Sequence, residues 1–307
     1  MGQEILVIGG TRYVGIRLVE ALLAAGERVT IATRGRTPDP FGTRVRRIVV
    51  DRGDAVAMGA AFGPASAPRF DVVYDQMCYG PAEAEVAAWL FAGRVGRYLM
   101  TSTLEVYDEL HGRLPRDYCE SDLHLGRPAA QPPTAYGDGK RRAEAVLLSA
   151  DRLPAATLRL AHVLGGPEDF TGRLRFYVER ALGGAPLEHA RAAGPTSFID
   201  VDGAVAALVW AGRQDFRGAL NLASRGRLAA PELWARVARR LGRPARLSPV
   251  DGPVAPARLS PFDYGAPHAL DLDRAVSLGL RPGAVDDWLD GLVDRHAAAL
   301  AGTEVSA

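Results

Sequence analysis

Tyr136 and Lys140 stand four residues apart in Tyr136-Gly137-Asp138-Gly139-Lys140. On a helix, positions i and i+4 share one face, so this spacing sets an ammonium beside a phenol. An ammonium at that range favours the phenolate and lowers the tyrosine pKa from about 10 toward neutrality. A tyrosine so tuned can take the proton of a sugar or alcohol hydroxyl while hydride leaves for a nicotinamide. Lys140 is the one lysine among 37 Lys plus Arg residues. Arginine supplies charge but not a compact ammonium of tunable pKa. The lone lysine is therefore first a catalytic candidate, although an Arg-biased chain could reach the same count by chance. A third participant is expected in Thr101-Ser102-Thr103-Leu104-Glu105-Val106-Tyr107, at the end of an apolar run.

A nucleotide loop precedes these residues. Ile5-Leu6-Val7-Ile8 reads as a buried strand, and Gly9-Gly10-Thr11-Arg12-Tyr13-Val14-Gly15 leads directly into a helical pattern from Val14 to Ala25. Glycines there let the backbone approach a pyrophosphate, and the helix N-terminus offers it free N–H groups. The middle glycine of a Gly-x-x-Gly-x-x-Gly pattern is replaced by Arg12. The second strand ends in Thr33-Arg34-Gly35-Arg36, without the carboxylate that usually meets an NAD ribose. Arg34, with Arg12, could instead hold a 2′-phosphate in bidentate fashion, which favours NADP over NAD; both could equally be solvated surface charges. Asp51, in Val50-Asp51-Arg52, is placed for the adenine amino group or is an ordinary turn acid. Arg52 and Gln76 are expected on the same cofactor surface. Asp75-Gln76-Met77-Cys78-Tyr79 follows the fourth strand, where a sheet edge meets nicotinamide ribose and substrate.

The elements that position these residues alternate. Strands are expected at Val29–Ile31, Ile48–Val50, Val72–Tyr74, Tyr98–Thr101 and Ala156–Leu160, with helices at Pro81–Ala92 and through Tyr136–Ser149. That rhythm argues for an α/β fold, a doubly wound parallel sheet with crossover helices. The polar stretch from Glu109 to Thr134 is too long for a simple connection and is expected to border a cleft. After Leu160, helices at Arg173–Leu182, Val201–Ala211, Pro231–Leu241 and Val285–Leu300 suggest a smaller lobe. The expected division is a dinucleotide domain over 1–160 with a returning segment around 198–225, and a substrate lobe from 161–197 and 226–307. A net charge of +1 gives no reason to expect nucleic acid as a partner. Cys78 and Cys119 make no disulfide framework and no metal-ligand spacing surrounds them, so free thiols and no metal are expected. No signal peptide and no bilayer-spanning run is apparent, and a soluble cytoplasmic protein, with a homodimer left open, is the expectation.

In this order and spacing the motifs resemble the extended short-chain dehydrogenase/reductases, the NAD-dependent epimerase/dehydratase family, over nearly the whole chain. The matching residues are the Gly9–Gly15 loop, the Asp51 turn, the Ser102–Tyr107 segment and the Tyr136–Lys140 pair. Leu158–Pro167 and Phe198–Asp202 match as well. The resemblance implies a Rossmann-type sheet with a C-terminal substrate lobe, an NAD or NADP cofactor, and Thr103 as the hydroxyl beside Tyr136 and Lys140. It also places Glu105 where sugar-nucleotide 4,6-dehydratases carry the base that removes a proton beside a transient ketone. Two departures stand out. The Gly-Gly-Thr-Arg-aromatic loop is that of an atypical subgroup, some of whose members bind RNA or lack the catalytic pair, which this chain keeps. Leu104 replaces the aspartic acid that protonates the departing hydroxyl, so dehydration would need another donor, for which Tyr79, Cys78 and His162 are candidates. Cys78 is read more simply as a packed thiol, and His162 is divided evenly between core and cleft. Tyr79, Thr103 and His162 are the expected substrate contacts; His189 and Arg191 are assigned to a solvated loop. The implied activity is redox-neutral dehydration or epimerisation of a sugar, sugar nucleotide or nucleoside. An NADPH-dependent ketone reductase and a non-catalytic nucleotide- or RNA-binding protein are the alternatives.

Overall fold

Ile5, Leu6, Val7 and Ile8 are all buried, as a strand must be when helices cover both faces of its sheet. The structure, a computed structural model, describes residues 2–64, 67–129, 131, 133–190, 192–250 and 259–304. Its first half alternates β1 (Glu4–Ile8), α1 (Val14–Ala24), β2 (Arg28–Thr33), β3 (Arg46–Val49), α2 (Ala55–Phe62), β4 (Phe70–Asp75), α3 (Pro81–Phe91) and β5 (Val95–Thr103). Next come α4 (Ala135–Ser149), β6 (Ala155–Leu160), β7 (His162–Leu164), α5 (Arg173–Leu182), β8 (Leu187–Ala190) and β9 (Thr196–Asp200). The chain then runs through α6 (Val201–Gly212), β10 (Gly218–Leu222), β11 (Arg227–Leu228), α7 (Ala230–Arg240), β12 (Leu247–Val250), α8 (Asp273–Ser277) and α9 (Val285–Glu304).

Seven parallel strands form one Rossmann-type sheet in the order β3-β2-β1-β4-β5-β6-β10. Strand order reverses between β1 and β4, and such a reversal opens a crevice at the carboxyl ends of the strands. Helices α1 and α6 pack together over one face, and α3 with α4 over the other. A separate core joins Leu174 and Tyr177 of α5, Leu233 and Trp234 of α7, and Leu289 and Val293 of α9. Two small sheets, β11-β9-β7 and β12-β8, accompany that core.

Two features depart from the sequence expectation. Helix α2 has no apolar stripe to announce it, because Ala55-Val56-Ala57-Met58-Gly59-Ala60-Ala61-Phe62 is apolar all round. It is started by Asp54, whose Oδ1 accepts from the amides of Val56 and Ala57. His189 lies in β8 and is buried, not on a solvated loop; Arg191 lies outside the described residues. No helix among the described residues is long and apolar enough to cross a membrane.

Candidate active site

A cleft of about 520 Å³ opens at the β1/β4 crevice. Its lining includes every predicted residue of the loop, from Gly9, Gly10, Thr11, Arg12, Tyr13 and Val14 to Gly15, together with Arg34, Asp51, Arg52, Gln76 and Tyr79. Gly9 and Gly10 have φ of 103° and 98°, which disfavours any side chain, and a Cβ on Gly15 would lie 2.8 Å from the Gly10 Cα. The loop is thus kept open by absent side chains, as a dinucleotide pyrophosphate requires. Gln76 Nε2 is buried there without a hydrogen-bond partner, a donor offered to whatever fills the cleft. Arg12 and Arg34 are exposed on the rim and pair with no carboxylate among the described residues. Asp51 accepts from the Gly53 amide at 3.1 Å, so it shapes its own turn as well as facing the cleft. Arg52 is differently used. Its Nε and Nη2 donate to Asp75 Oδ2 at 3.0 and 2.8 Å and Nη2 also to the Glu83 carbonyl. Its charge therefore braces the wall.

Helix α4 carries Tyr136 and Lys140 and is fixed from several directions. Thr134 caps it, accepting from the Gly137 amide at 3.0 Å. Its inner side is pinned by Glu144, which accepts from Ser102 Oγ at 2.5 Å and from Arg159 Nη2 at 2.6 Å; Arg159 also donates to Tyr107 at 2.7 Å. One buried cluster thus locks α4, β5, β6 and the turn after β5. The glycines on either side of Asp138 allow this approach: a Cβ on Gly137 would meet the Glu105 carbonyl at 2.3 Å, and one on Gly139 the Tyr79 carbonyl at 2.5 Å.

Lys140 is buried, donates from Nζ to the Thr101 carbonyl at 2.8 Å and lies 4.6 Å from the centre of the Tyr79 ring. Burial lowers its pKa to about 8. The Tyr136 ring is 6.0 Å away and half exposed. Desolvation, then Tyr79, raises its pKa, and the hydrogen bond with Thr103 pulls the other way. The expected drop toward neutrality is thus not found in this state: the ammonium is turned to a carbonyl and lies under a different ring. Thr103 Oγ1 accepts from the Glu105 amide at 3.2 Å, which leaves its proton free to serve the Tyr136 oxygen. Tyr79, half exposed, sits beside Tyr136 with ring centres 6.4 Å apart. Cys78 is fully buried and its thiol is pushed up to about 12 by desolvation, which removes it from the proton donors.

Glu105 is neither a surface carboxylate nor a helix cap. It opens a 3-10 turn over Leu104–Leu110 in which Leu104, Val106 and Tyr107 are buried in the core. Residues i and i+3 of such a turn eclipse, so Glu105 and Asp108 emerge on the same side. Glu105 Oε1 accepts from Tyr264 Oη at 2.9 Å, and Tyr264 Oη is 3.0 Å from His162 Nε2. Burial, followed by the hydrogen bond and charge of Asp108, raises the Glu105 pKa to about 8. His162 is buried against Phe262 and Tyr264, and desolvation drives its pKa well below the ordinary value. His268 completes the cluster, stacked on Tyr264 at 4.6 Å, with His111 5.4 Å away. Asp108, His111, Tyr264 and His268 were not anticipated from sequence. For Asp108 the three-residue spacing from Glu105 was an available signal; for Tyr264 and His268 nothing local was.

The model of the NAD dependent epimerase/dehydratase family matches residues 5–223. The chain belongs to this family. Among curated relatives it is similar to 2′-dehydrokanamycin reductase of Streptomyces kanamyceticus, 32% identical over 82% of this chain and 70% of that one. It is also similar to a chloroplast stem-loop binding protein of 41 kDa from Arabidopsis thaliana, 28% identical over 60% of this chain and 48% of the relative. Its fold matches the dTDP-glucose 4,6-dehydratase of Bacillus anthracis in complex with NAD, with a TM-score of 0.75 at 14% identity over 96% of each chain. The chain is therefore a member of an enzyme family described as NAD dependent.

Proposed function

We propose that this protein oxidises a carbinol of a sugar, sugar nucleotide or nucleoside transiently, then uses Glu105 on the neighbouring carbon for dehydration or epimerisation. The observation that carries this is the placement of Glu105: in the turn directly after Thr103, half-buried and held by Tyr264, with a proton affinity suited to exchange near neutrality. A bound nicotinamide supplies the hydride acceptor. Tyr136 Oη would take the hydroxyl proton, Thr103 would orient that hydroxyl, and the Lys140 ammonium, 6.0 Å from the Tyr136 ring, would stabilise the phenolate. With the carbinol oxidised, the adjacent C–H becomes acidic and Glu105 Oε2 can remove its proton. Burial keeps His162 uncharged and holds the Tyr264 phenol well above its ordinary range, so of the candidates to replace the acid missing at Leu104 the half-exposed Tyr79, beside Tyr136, remains. Arg34 and Arg12 receive the 2′-phosphate of NADP, and Gly9–Gly15, Asp51 and Gln76 hold the remainder of the cofactor. The dinucleotide part comprises 1–160 with the returning segment, and specificity resides in the lobe of 161–197 and 226–307. The setting is cytoplasmic.

A second function has one observation in its favour: the 32% identical relative is a reductase. Reduction consumes NADPH stoichiometrically and leaves Glu105 without a carbon to act on. Product mass after incubation with sugar nucleotides, nucleosides and amino sugars separates the two. Loss of water or unchanged mass without net cofactor turnover supports the proposal; a gain of two hydrogens with NADPH consumption replaces it by the reductase.

A further inference from the structure

Two carboxylates and a histidine converge at the turn after β5 in an arrangement that proton transfer alone does not require. His268 Nε2 is 3.6 Å from Asp108 Oδ1 and 3.9 Å from Glu105 Oε2. One ligand atom from each residue lies within 4.8 Å of the others. The His268 ring is fully buried, and neither of its nitrogens has a hydrogen-bond partner among the described residues. The outer oxygens of both acids are already occupied. Glu105 Oε1 accepts from Tyr264 Oη at 2.9 Å, and Asp108 Oδ2 accepts from Thr134 Oγ1 at 2.5 Å and from the Thr134 amide at 3.2 Å. Each acid is therefore oriented by a second group and turns its other oxygen toward the imidazole, as metal-binding carboxylates are oriented by outer partners.

Spacing decides what kind of cation fits. Ligands about 2.1 Å from a tetrahedral metal stand roughly 3.4 Å from one another. Acceptors about 2.8 Å from an ammonium nitrogen stand roughly 4.6 Å apart. The observed 3.6 and 3.9 Å from His268 lie nearer the metal spacing than the amine spacing, and the three ligand atoms all fall within 4.8 Å of one another. One nitrogen and two oxygen ligands suit a divalent first-row transition cation rather than calcium, which takes six to eight oxygens.

We propose that Glu105, Asp108 and His268 form a three-ligand site for a divalent transition cation. The site rests on the mutual placement of these three side chains and not on what Glu105 does to a substrate. A cation on Oε2 and proton abstraction by Oε2 exclude one another, so the loaded protein should lose Glu105-dependent exchange. The test is direct titration of the chelator-stripped full chain with Co²⁺, read by visible absorption, and with Zn²⁺ in competition with a chromophoric chelator. One equivalent is expected. His268→Ala and Asp108→Asn should each weaken binding at least about 100-fold, and Tyr264→Phe about 10-fold. His124→Ala, at an exposed histidine elsewhere, should change nothing. Should His268→Ala not fold, His268→Gln and Asp108→Asn carry the same comparison. Absence of stoichiometric uptake, uptake that survives both ligand substitutions, or binding of methylammonium in place of Co²⁺ would each overturn the site. Because binding is measured without substrate, its failure is separate from a failure of Glu105 as carbon base.

Discussion

The nucleotide-loop cleft and the acid–imidazole cluster are built from different materials. In the cleft the contact surface is one continuous loop, Gly9–Gly15, plus the ends of β2, β3 and β4. The cluster is made of side chains gathered from Glu105, Asp108, His162, Tyr264 and His268, up to 163 residues apart along the chain. The cleft works by what is missing, a Cβ at Gly15 that would strike Gly10 at 2.8 Å. The cluster works by buried polar groups whose proton affinities depend on one another. On the proposed function, the difference separates a generic task, holding a cofactor, from a particular one, choosing what happens at the carbon next to the carbinol.

Tyr136 belongs to neither group, and its loss should have the largest effect. Tyr136→Phe is expected to lower turnover about 10³-fold while cofactor still binds, measured by steady-state rate and by cofactor titration. Retained turnover would take the hydroxyl chemistry away from α4. Arg34→Ala probes the nucleotide-loop cleft alone. It should weaken NADP roughly tenfold and NAD far less, since only NADP carries the 2′-phosphate; equal weakening would end the argument for NADP.

The smallest effect is on stability. Lys140 has a folded pKa near 8, below the ordinary lysine value of 10.5. For a cation with a depressed folded pKa, the unfolded chain binds the extra proton between those values, so stability rises with pH across that window. Lys140→Met should therefore stabilise the apo protein at pH 7 by on the order of 2 kcal/mol. The gain should shrink as pH climbs from 8 toward 10.5 in denaturant titrations. A pH-independent difference would mean that the ammonium is not the source of the cost.

The same contrast explains what was legible in the sequence. Continuous apolar runs gave β1 and its neighbours, because a covered strand needs no other signal. The loop, the Tyr136–Lys140 spacing and helix α5 at Arg173–Leu182 are equally local and were read directly. Helix α2 escaped because alanines around its whole circumference leave no stripe. The acid–imidazole cluster escaped because Tyr264 and His268 meet Glu105 only after the lobe folds back on β5 and its turn. Spacing alone also points the wrong way for Tyr136: it brings an ammonium near, but shows neither the desolvation that raises the phenol nor the Thr101 carbonyl that holds Lys140 aside.

Solvent-deuterium incorporation next to the carbinol, compared in the unaltered protein and Glu105→Gln, tests the central claim most directly. With a turned-over substrate, the account predicts deuterium at that carbon in the unaltered protein. In Glu105→Gln exchange should fall at least about 100-fold, while first-step reduction of bound cofactor persists. Undiminished exchange in the variant would contradict it, and would leave Glu105 to its other partners in the cluster.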